Sequence, residues 1–148
     1  MTSPSAATID VLNGLLEAEQ SSVFRFMGEG SPYLSRASAD VRRPLQGMVN
    51  ANQRHVAALG TMVQRLGGFP VPRPVRPEEQ YLAFLSLKFL LPKLLDAKKL
   101  LIERYENAIR ALRGADRQAL TVVQSLLLEH KSQLATLNRA AEQVAAGK

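Results

Sequence analysis

The chain contains two histidines, and helical spacing predicts that both face the interior of the protein. Projection at about 100° per residue places His55 on an apolar stripe with Leu59, and His130 on a stripe with Leu126 and Leu137. An imidazole can bind a metal ion, transfer a proton, or donate and accept hydrogen bonds. Two inward imidazoles are therefore the strongest chemical signal in this sequence.

Three further polar residues fall on inner stripes: Glu19 and Lys98 lie on two other predicted helical segments, and Asn52 lies on the same segment as His55. A buried charge or amide without partners costs several kcal/mol, so we expect these residues and the two histidines to contact one another. The preferred arrangement is an ion pair between Lys98 and Glu19, with Asn52, His55 and His130 completing the hydrogen bonds. Such a network has no catalytic residue and no metal.

An alternative interpretation assigns a metal to the same place. Glu19, His55 and His130 offer one carboxylate and two imidazoles, a set that can hold a single Fe(II) or Zn(II). Two alternatives concern the direction of Lys98 and the rotation of the last helix. The long stem of Lys98 could carry its charge out of the bundle, and a rotation of the last helix would turn Glu129 inward instead of His130.

The positive charge of the chain is concentrated in one segment. The net charge is +6, and residues 36–76 contain seven arginines against a single acid, Asp40. Arginine suits bidentate contacts to carboxylate or phosphate, so a candidate anion-binding set is Arg36, Arg42, Arg43, Arg73 and Arg76. No basic tail or nucleic-acid motif accompanies them, so we expect a solvated basic surface, with anion or nucleic-acid binding through it as a weaker alternative.

Helical periodicity, capping residues and glycine or proline stops divide the chain into segments. We predict helix 1 over residues 8–27, helix 2 over 40–66, a proline-rich crossover at 69–77, a short apolar helix at 78–91 that ends before Pro92, helix 3 over 93–113, and helix 4 over 116–145 with Asp116 as its N-cap. The whole chain, 1–148, is predicted to form one all-α domain. Two short connections and one long one indicate a four-helix bundle with a crossover between helices 2 and 3. The chain has no cysteine, which excludes disulfides and thiolate metal sites.

The residues on the inner faces resemble those of the ferritin-like superfamily, the bundle of bacterioferritins and rubrerythrins. The segment Leu12-Asn13-Gly14-Leu15-Leu16-Glu17-Ala18-Glu19 is similar to the first helix of a bacterioferritin, with Glu19 at its ligand position. The stretch Leu90-Leu91-Pro92-Lys93-Leu94-Leu95 is similar to bacterial members of the superfamily.

The resemblance implies a di-iron site that is degraded in this chain. The family carries one Glu on each of two helices and Glu-x-x-His on the other two. Here the two windows are Asn52-Gln53-Arg54-His55 and Leu127-Leu128-Glu129-His130, so each histidine is kept and each bridging Glu is replaced. Lys98 stands where the family has its second lone Glu. In the family's arrangement the two histidines bind different metal ions, which argues against one ion between them.

From these features we expect a non-catalytic structural or interaction module without a cofactor. The alternative is a metal-dependent oxidoreductase or metal-storage protein with a mononuclear Fe or Zn site. We also expect a homodimer formed through the apolar segment 81–91, and a cytoplasmic location. The apolar stretch from Tyr81 to Leu95 is interrupted by Lys88, Pro92 and Lys93, so it predicts no membrane span.

Overall fold

The computed structural model describes residues 4–28, 39–71 and 86–146. These residues form α1 (Pro4–Gln20), α2 (Val23–Gly28), α3 (Ala39–Arg65), α4 (Leu87–Leu112) and α5 (Arg117–Ala145), with no strand among them. The predicted all-α class is therefore confirmed. The predicted crossover at 69–77 and short helix at 78–91 fall largely on residues 72–85, outside the described residues.

The four long helices pack as a bundle. The main contacts are made between α4 and α5, α1 and α3, α1 and α4, and α3 and α5. These four pairs close a ring in which α1 lies diagonally opposite α5 and α3 lies opposite α4. Each helix therefore presents its inner stripe to a common core, and α2 packs on α3.

The interior has two apolar clusters with polar residues between them. The larger cluster includes Leu16, Leu59, Leu101 and Leu127, and the smaller one includes Val23, Val49, Leu94 and Leu137. Along the chain, five buried polar residues lie between these two sets of positions, whereas buried Thr8 lies near the start of α1. We use "the polar layer" for these residues, which are Glu19, Asn52, His55, Lys98 and His130.

Predicted helix 1 is divided in the structure. It begins at Pro4 rather than Thr8 and breaks between Gln20 and Val23. Proline is well suited to a first helical turn, which explains the early start. At the break, the Ser21 hydroxyl donates to the Glu17 carbonyl and the Ser22 hydroxyl accepts from the Phe24 amide. Serine side chains compete with the backbone for hydrogen bonds in this way, so the prediction of a continuous helix was wrong.

The predicted start of helix 3, at residue 93, was also wrong. It begins at Leu87 and continues through Pro92, so residues 87–91 belong to α4 and not to a separate short helix. Pro92 and Pro44 are each the sixth residue of their helix, α4 and α3. Each removes one hydrogen bond to the first turn, where the carbonyl four residues earlier belongs to an exposed residue. The burial of Leu90, Leu91 and Leu94 on either side of Pro92 offsets that loss.

The other helix ends agree with the prediction to within one residue. α3 ends at Arg65, and the chain turns at Gly67, whose φ of 86° is a left-handed conformation that favours glycine. The Gly68 amide donates to the Val63 carbonyl over 3.0 Å. Asp116 caps α5 by accepting a hydrogen bond from the Ala119 amide at 2.8 Å. The same carboxylate contacts Arg65 at 2.8 Å, which ties the start of α5 to the end of α3.

Candidate metal or polar centre

The structure brings all five predicted site residues together in the middle of the bundle. Glu19 comes from α1, Asn52 and His55 from α3, Lys98 from α4 and His130 from α5, and each is at most 5% exposed. Helical phase accounts for this convergence, because each residue continues an apolar inner stripe of its helix. Lys98 therefore points into the bundle, and His130 is the fully inward residue of α5.

The carboxylate of Glu19 is the centre of the polar layer. Its Oε2 lies 3.0 Å from His55 Nδ1 and 3.0 Å from His130 Nε2, and it accepts the Tyr105 hydroxyl at 2.9 Å. Asn52 Nδ2 donates to the Glu19 carbonyl at 3.0 Å and approaches Oε1 at 3.4 Å. The oxygen Oε2 is thus surrounded by three hydrogen-bonding groups.

These contacts fix the charge of Glu19. Burial alone would raise the pKa of this carboxyl, but hydrogen bonds from His130 and His55 outweigh it, and the pKa falls to about 2. Glu19 is therefore an anion across the ordinary pH range, and the neighbouring ring nitrogens act as donors toward it. Burial, the Glu19 charge and the hydrogen bond to Glu19 raise the pKa of Tyr105, so its hydroxyl stays protonated and can donate.

Lys98 reaches Glu19 through the His130 ring. Its Nζ lies 3.0 Å from His130 Nδ1 and 2.6 Å from Gln133 Oε1, and 4.5 Å above the ring centroid of Phe24. Because His130 donates from Nε2, its Nδ1 carries a lone pair and accepts from the ammonium. The expected direct pair between Lys98 and Glu19 was wrong: the lysine stem places Nζ on the far side of the imidazole.

Burial affects the proton affinity of both partners. It lowers the pKa of Lys98 to about 8, although the negative charges of Glu19 and Glu129 oppose the shift. Burial also lowers the pKa of His130, against the opposing hydrogen bond to Glu19, and the Lys98 charge adds to that lowering. At neutral pH, a pKa of about 8 leaves Lys98 mostly charged, and the lowered pKa of His130 leaves its ring neutral.

His55 links Glu19 to a second carboxylate at the edge of the bundle. Its Nε2 lies 3.1 Å from Glu129 Oε2, and Arg54 contacts Glu129 Oε1 at 2.8 Å. The first distance is that of an ion pair, but the ring nitrogen is not aligned for a hydrogen bond and has no such partner among the described residues. Burial would raise the pKa of Glu129, but His55 and Arg54 lower it, so Glu129 is an anion.

His130 and Glu129 both take part, although they were weighed as alternatives. Glu129 is partly exposed and contacts Arg54 and the outer nitrogen of His55, while His130 is buried and contacts Glu19. The side chains form one sequence of contacts across the bundle: Arg54, Glu129, His55, Glu19, His130, Lys98 and Gln133.

Two members of this series of contacts, Arg54 and Gln133, were not predicted from the amino-acid sequence. Gln133 lies one helical turn after His130 on α5, and a polar residue at that spacing was the available signal. Arg54 precedes His55 and is exposed, so nothing in the sequence distinguishes it from a solvated arginine.

Glu19, His55 and His130 form a group that could hold a metal ion. One ligand atom from each lies within 4.8 Å of the others, and the two imidazole rings are 4.6 Å apart between centroids. The family's arrangement, in which the two histidines bind different metal ions, argued against one ion between them, but here their ring nitrogens lie close to each other. Both reach the same carboxylate oxygen because α3 and α5 are adjacent.

The surroundings of this group oppose a cation. An ion bound to His130 Nε2 would move the ring proton to Nδ1, where it would face the Lys98 ammonium 3.0 Å away. A two-metal centre of the ferritin type needs about four carboxylates. Among the described residues at this site only Glu19 and Glu129 supply them, so the residues do not fit two ions.

The predicted anion-binding arginines are described only in part. Arg42 is half-buried and Arg43 is exposed on the first turns of α3. Arg36, Arg73 and Arg76 lie outside the described residues. In the part of the chain that the structure covers, no helix is long and apolar enough to cross a membrane.

Comparison with known proteins supports the fold. A crystal structure of ferritin-like, diiron-carboxylate proteins from Bacillus anthracis strain Ames matches with a TM-score of 0.72, covering 95% of this chain and 99% of that one. Sequence identity between the two is 17%. No protein-family model matches the chain, and no curated protein matches it significantly in sequence. The chain therefore has a ferritin-like helical bundle. At this level of identity, the function of the site has to be argued from the residues of this chain.

Proposed function

We propose that this protein is a non-catalytic ferritin-like bundle, used as a structural or interaction module, in which the polar layer replaces a di-metal centre. The similar structure is described as a diiron-carboxylate protein. In this chain the corresponding interior holds an ammonium group and two imidazoles around one fully buried carboxylate.

One observation carries the proposal: the hydrogen bond between Lys98 Nζ and His130 Nδ1. The Lys98 ammonium brings a positive charge to the centre of the bundle without a metal ion. Its hydrogen bond fixes His130 in the tautomer that donates from Nε2 to Glu19. A lysine in that position repels a cation and uses the ring nitrogen on its side. The network then needs no cofactor to compensate the Glu19 charge.

A second candidate function has its own observation. The Glu19, His55 and His130 donor atoms are mutually within 4.8 Å, which is compact enough for a single Fe or Zn ion. In that case the protein is a metal-binding oxidoreductase or a metal-storage protein. His55 and His130 would supply neutral imidazole ligands and Glu19 the compensating charge.

Thermal unfolding with and without added Fe(II), Mn(II) or Zn(II) distinguishes these functions, because an ion that binds only the folded state raises Tm. We expect no shift for the wild type and an increase for Lys98→Met, in which His130 is free to change tautomer. Lys99→Met removes an exposed lysine at the next position and should behave as the wild type. A Tm increase in the wild type that disappears in His55→Ala would favour the metal-binding function instead.

We further propose that the protein is a cytoplasmic homodimer that associates through residues 81–91. Residues 81–85 of this segment lie outside the described residues. In the remainder, Phe89 is 62% exposed on the first turn of α4 while Leu90 and Leu91 are buried. An exposed aromatic ring beside an apolar segment supports association there.

A further inference from the structure

A cavity of about 430 Å³ lies between α4 and α5, close to the turn that joins these two helices. Small-molecule sites begin at about 300 Å³, so the space is large enough for a small organic ligand. Its apolar lining consists of Ile109 and Leu127, which are largely buried, and Leu128, which is 69% exposed. We call this cavity the α4–α5 groove. An alkyl chain bound there would cover the exposed leucine, which is a favourable transfer out of water.

Two arginines line the same groove. Arg110 lies in the last turn of α4, and Arg113 is the residue that follows the helix. Both side chains are exposed, and among the described residues neither is paired with a carboxylate. Arg110 Nη2 donates to Asn107 Oδ1, a neutral partner in the same helix. Guanidinium groups form charge-assisted hydrogen bonds to carboxylates, so this end of the groove favours an anionic group.

Charge alone does not define the ligand. Basic residues near the end of a helix also interact with the negative end of its dipole, and a contact between exposed charges is weak. The apolar lining next to the two arginines therefore has to contribute to affinity. A ligand that fits carries both an anionic group and an apolar chain.

The position of Glu106 sets the direction of such a ligand. It is the one acidic residue among those that line the groove, and it precedes Arg110 by one helical turn. The groove is therefore positive toward the α4–α5 turn and negative one turn farther along α4. A carboxylate fits at the first end, and a second carboxylate at the other end would be repelled.

The groove is also accessible in the proposed dimer. Ile109 follows Phe89 by 20 residues on α4, which corresponds to about 30 Å of helix. The groove shares no lining residue with the polar layer. A ligand there needs no change in the dimer interface or in the centre of the bundle.

We propose that the α4–α5 groove binds an amphipathic monocarboxylate of the fatty-acid class. Its carboxylate contacts Arg110 and Arg113, and its alkyl chain lies along Ile109, Leu127 and Leu128. This site is additional to the polar layer, and it is the same whether or not that layer holds an ion.

Nuclear magnetic resonance titration with octanoate tests the proposal. We expect saturable shifts of the Ile109, Leu127 and Leu128 methyls and of the Gln124 side-chain amide, which also lines the groove. Hexanoate, which has two fewer methylenes, should bind at least about threefold more weakly. Octanol lacks the carboxylate and octanedioate adds a second one near Glu106, so each should also bind at least about threefold more weakly than octanoate.

Two pairs of variants locate the binding. The double variant Arg110→Gln, Arg113→Gln should weaken octanoate binding at least about fivefold, whereas Arg104→Gln, an exposed arginine of α4 outside the groove, should leave it unchanged. Leu128→Asn should weaken it at least about threefold, whereas Leu100→Asn, an equally exposed leucine outside the groove, should not. All of these side chains are exposed, so the variants should fold.

Three results would overturn the proposal. The first is the absence of saturable shifts at the groove with octanoate up to roughly 20 mM. The second is octanol binding as tightly as octanoate, which would remove the role of the two arginines. The third is unchanged octanoate binding in the double arginine variant and in Leu128→Asn.

Discussion

Three side chains direct hydrogen-bonding groups at a single oxygen of Glu19, and this convergence sets the character of the protein's centre. His55, His130 and Tyr105 all lie within 3.0 Å of Oε2. The carboxylate is held as an anion, and Lys98 supplies balancing positive charge through the His130 imidazole. The centre is a network of protein groups in which each member depends on its neighbours.

Glu19→Gln tests that dependence at the residue scale. The amide removes the charge and the strongest acceptor, so the two rings and Tyr105 lose their common partner. Removing one member of a buried ion-pair network costs about 3–5 kcal/mol, and we expect a loss of this size in urea unfolding. The matched control is Glu103→Gln, an exposed residue of α4, which should change stability by less than about 0.5 kcal/mol. Equal stability of both variants would contradict the network.

The pH dependence of stability tests the buried charge of Lys98. Its pKa is about 8 in the folded protein against 10.5 for an unperturbed lysine, so the unfolded chain binds the proton more tightly. The cost of the buried ammonium is therefore complete below pH 8 and is relieved as the pH rises, so stability should increase by about 1 kcal/mol per pH unit between pH 8 and 10. Above pH 10, ionisation of Tyr105 in the unfolded chain opposes the increase, because burial raises the pKa of that residue in the folded state.

Lys98→Met removes the charge and should flatten this alkaline increase, whereas Lys99→Met should keep it. Urea unfolding of the three proteins at several pH values gives the comparison. An identical slope in Lys98→Met and the wild type would show that folding does not lower the pKa of Lys98.

Helical phase was enough to predict which residues face inward, but not which atoms meet. Glu19, Asn52, His55, Lys98 and His130 were all predicted to be buried together. Their pairing was not, because the direction of a side chain decides it: Lys98 extends past the His130 ring to Gln133, 2.6 Å away. Glu129 reaches His55 from the helix edge, a position that a projection treats as outside.

At the scale of elements, single residues predicted a helix end correctly where they form a cap. They failed where side-chain packing favours a different helix end. Asp116 and Gly67 mark the ends of α5 and α3 as predicted. Pro92 predicted a helix end, yet α4 runs through it, because a proline in the sixth position removes one hydrogen bond while the leucines around it are buried. The Ser21–Ser22 break was hidden within an uninterrupted helical period.

Ser22→Ala tests the role of that break. The Ser22 hydroxyl accepts from the Phe24 amide at 3.3 Å and so caps α2, the short helix that places Phe24 beneath Lys98. Loss of such a cap costs about 1 kcal/mol, and the α2 amides should exchange hydrogen about fivefold faster. Ser86→Ala is the matched control, because Ser86 precedes α4 but makes no side-chain cap hydrogen bond. Unchanged exchange in α2 would mean that packing alone holds this helix.

At the scale of the whole molecule, the polar layer divides the interior into two apolar clusters. Every long helix crosses this layer once, so a shift of any helix along its axis would separate Glu19 from its partners. A buried polar contact that permits one register adds specificity to a bundle, even where it adds little net stability. The four-helix packing and the long connection between α3 and α4 could be predicted from apolar periodicity, but the position of the layer depends on how the helices align.

The proposed dimer is tested by Phe89→Asp. A charged residue at an apolar interface costs several kcal/mol, so the variant should sediment as a monomer in analytical ultracentrifugation at concentrations where the wild type is a dimer. Leu100→Asp is the matched control, since Leu100 is 63% exposed elsewhere on α4 and should leave the dimer intact. A monomeric wild type would refute the dimer, and its loss in Leu100→Asp alone would move the interface away from residues 81–91.

The most direct test of the central claim is the metal content of protein expressed with iron, manganese and zinc and measured by elemental analysis. If Lys98 takes the place of a metal ion, the wild type should carry far less than one ion per chain, while Lys98→Met acquires about one. About one ion per chain in the wild type, lost in Glu19→Gln, would contradict the account and show that Glu19 and the two histidines are metal ligands.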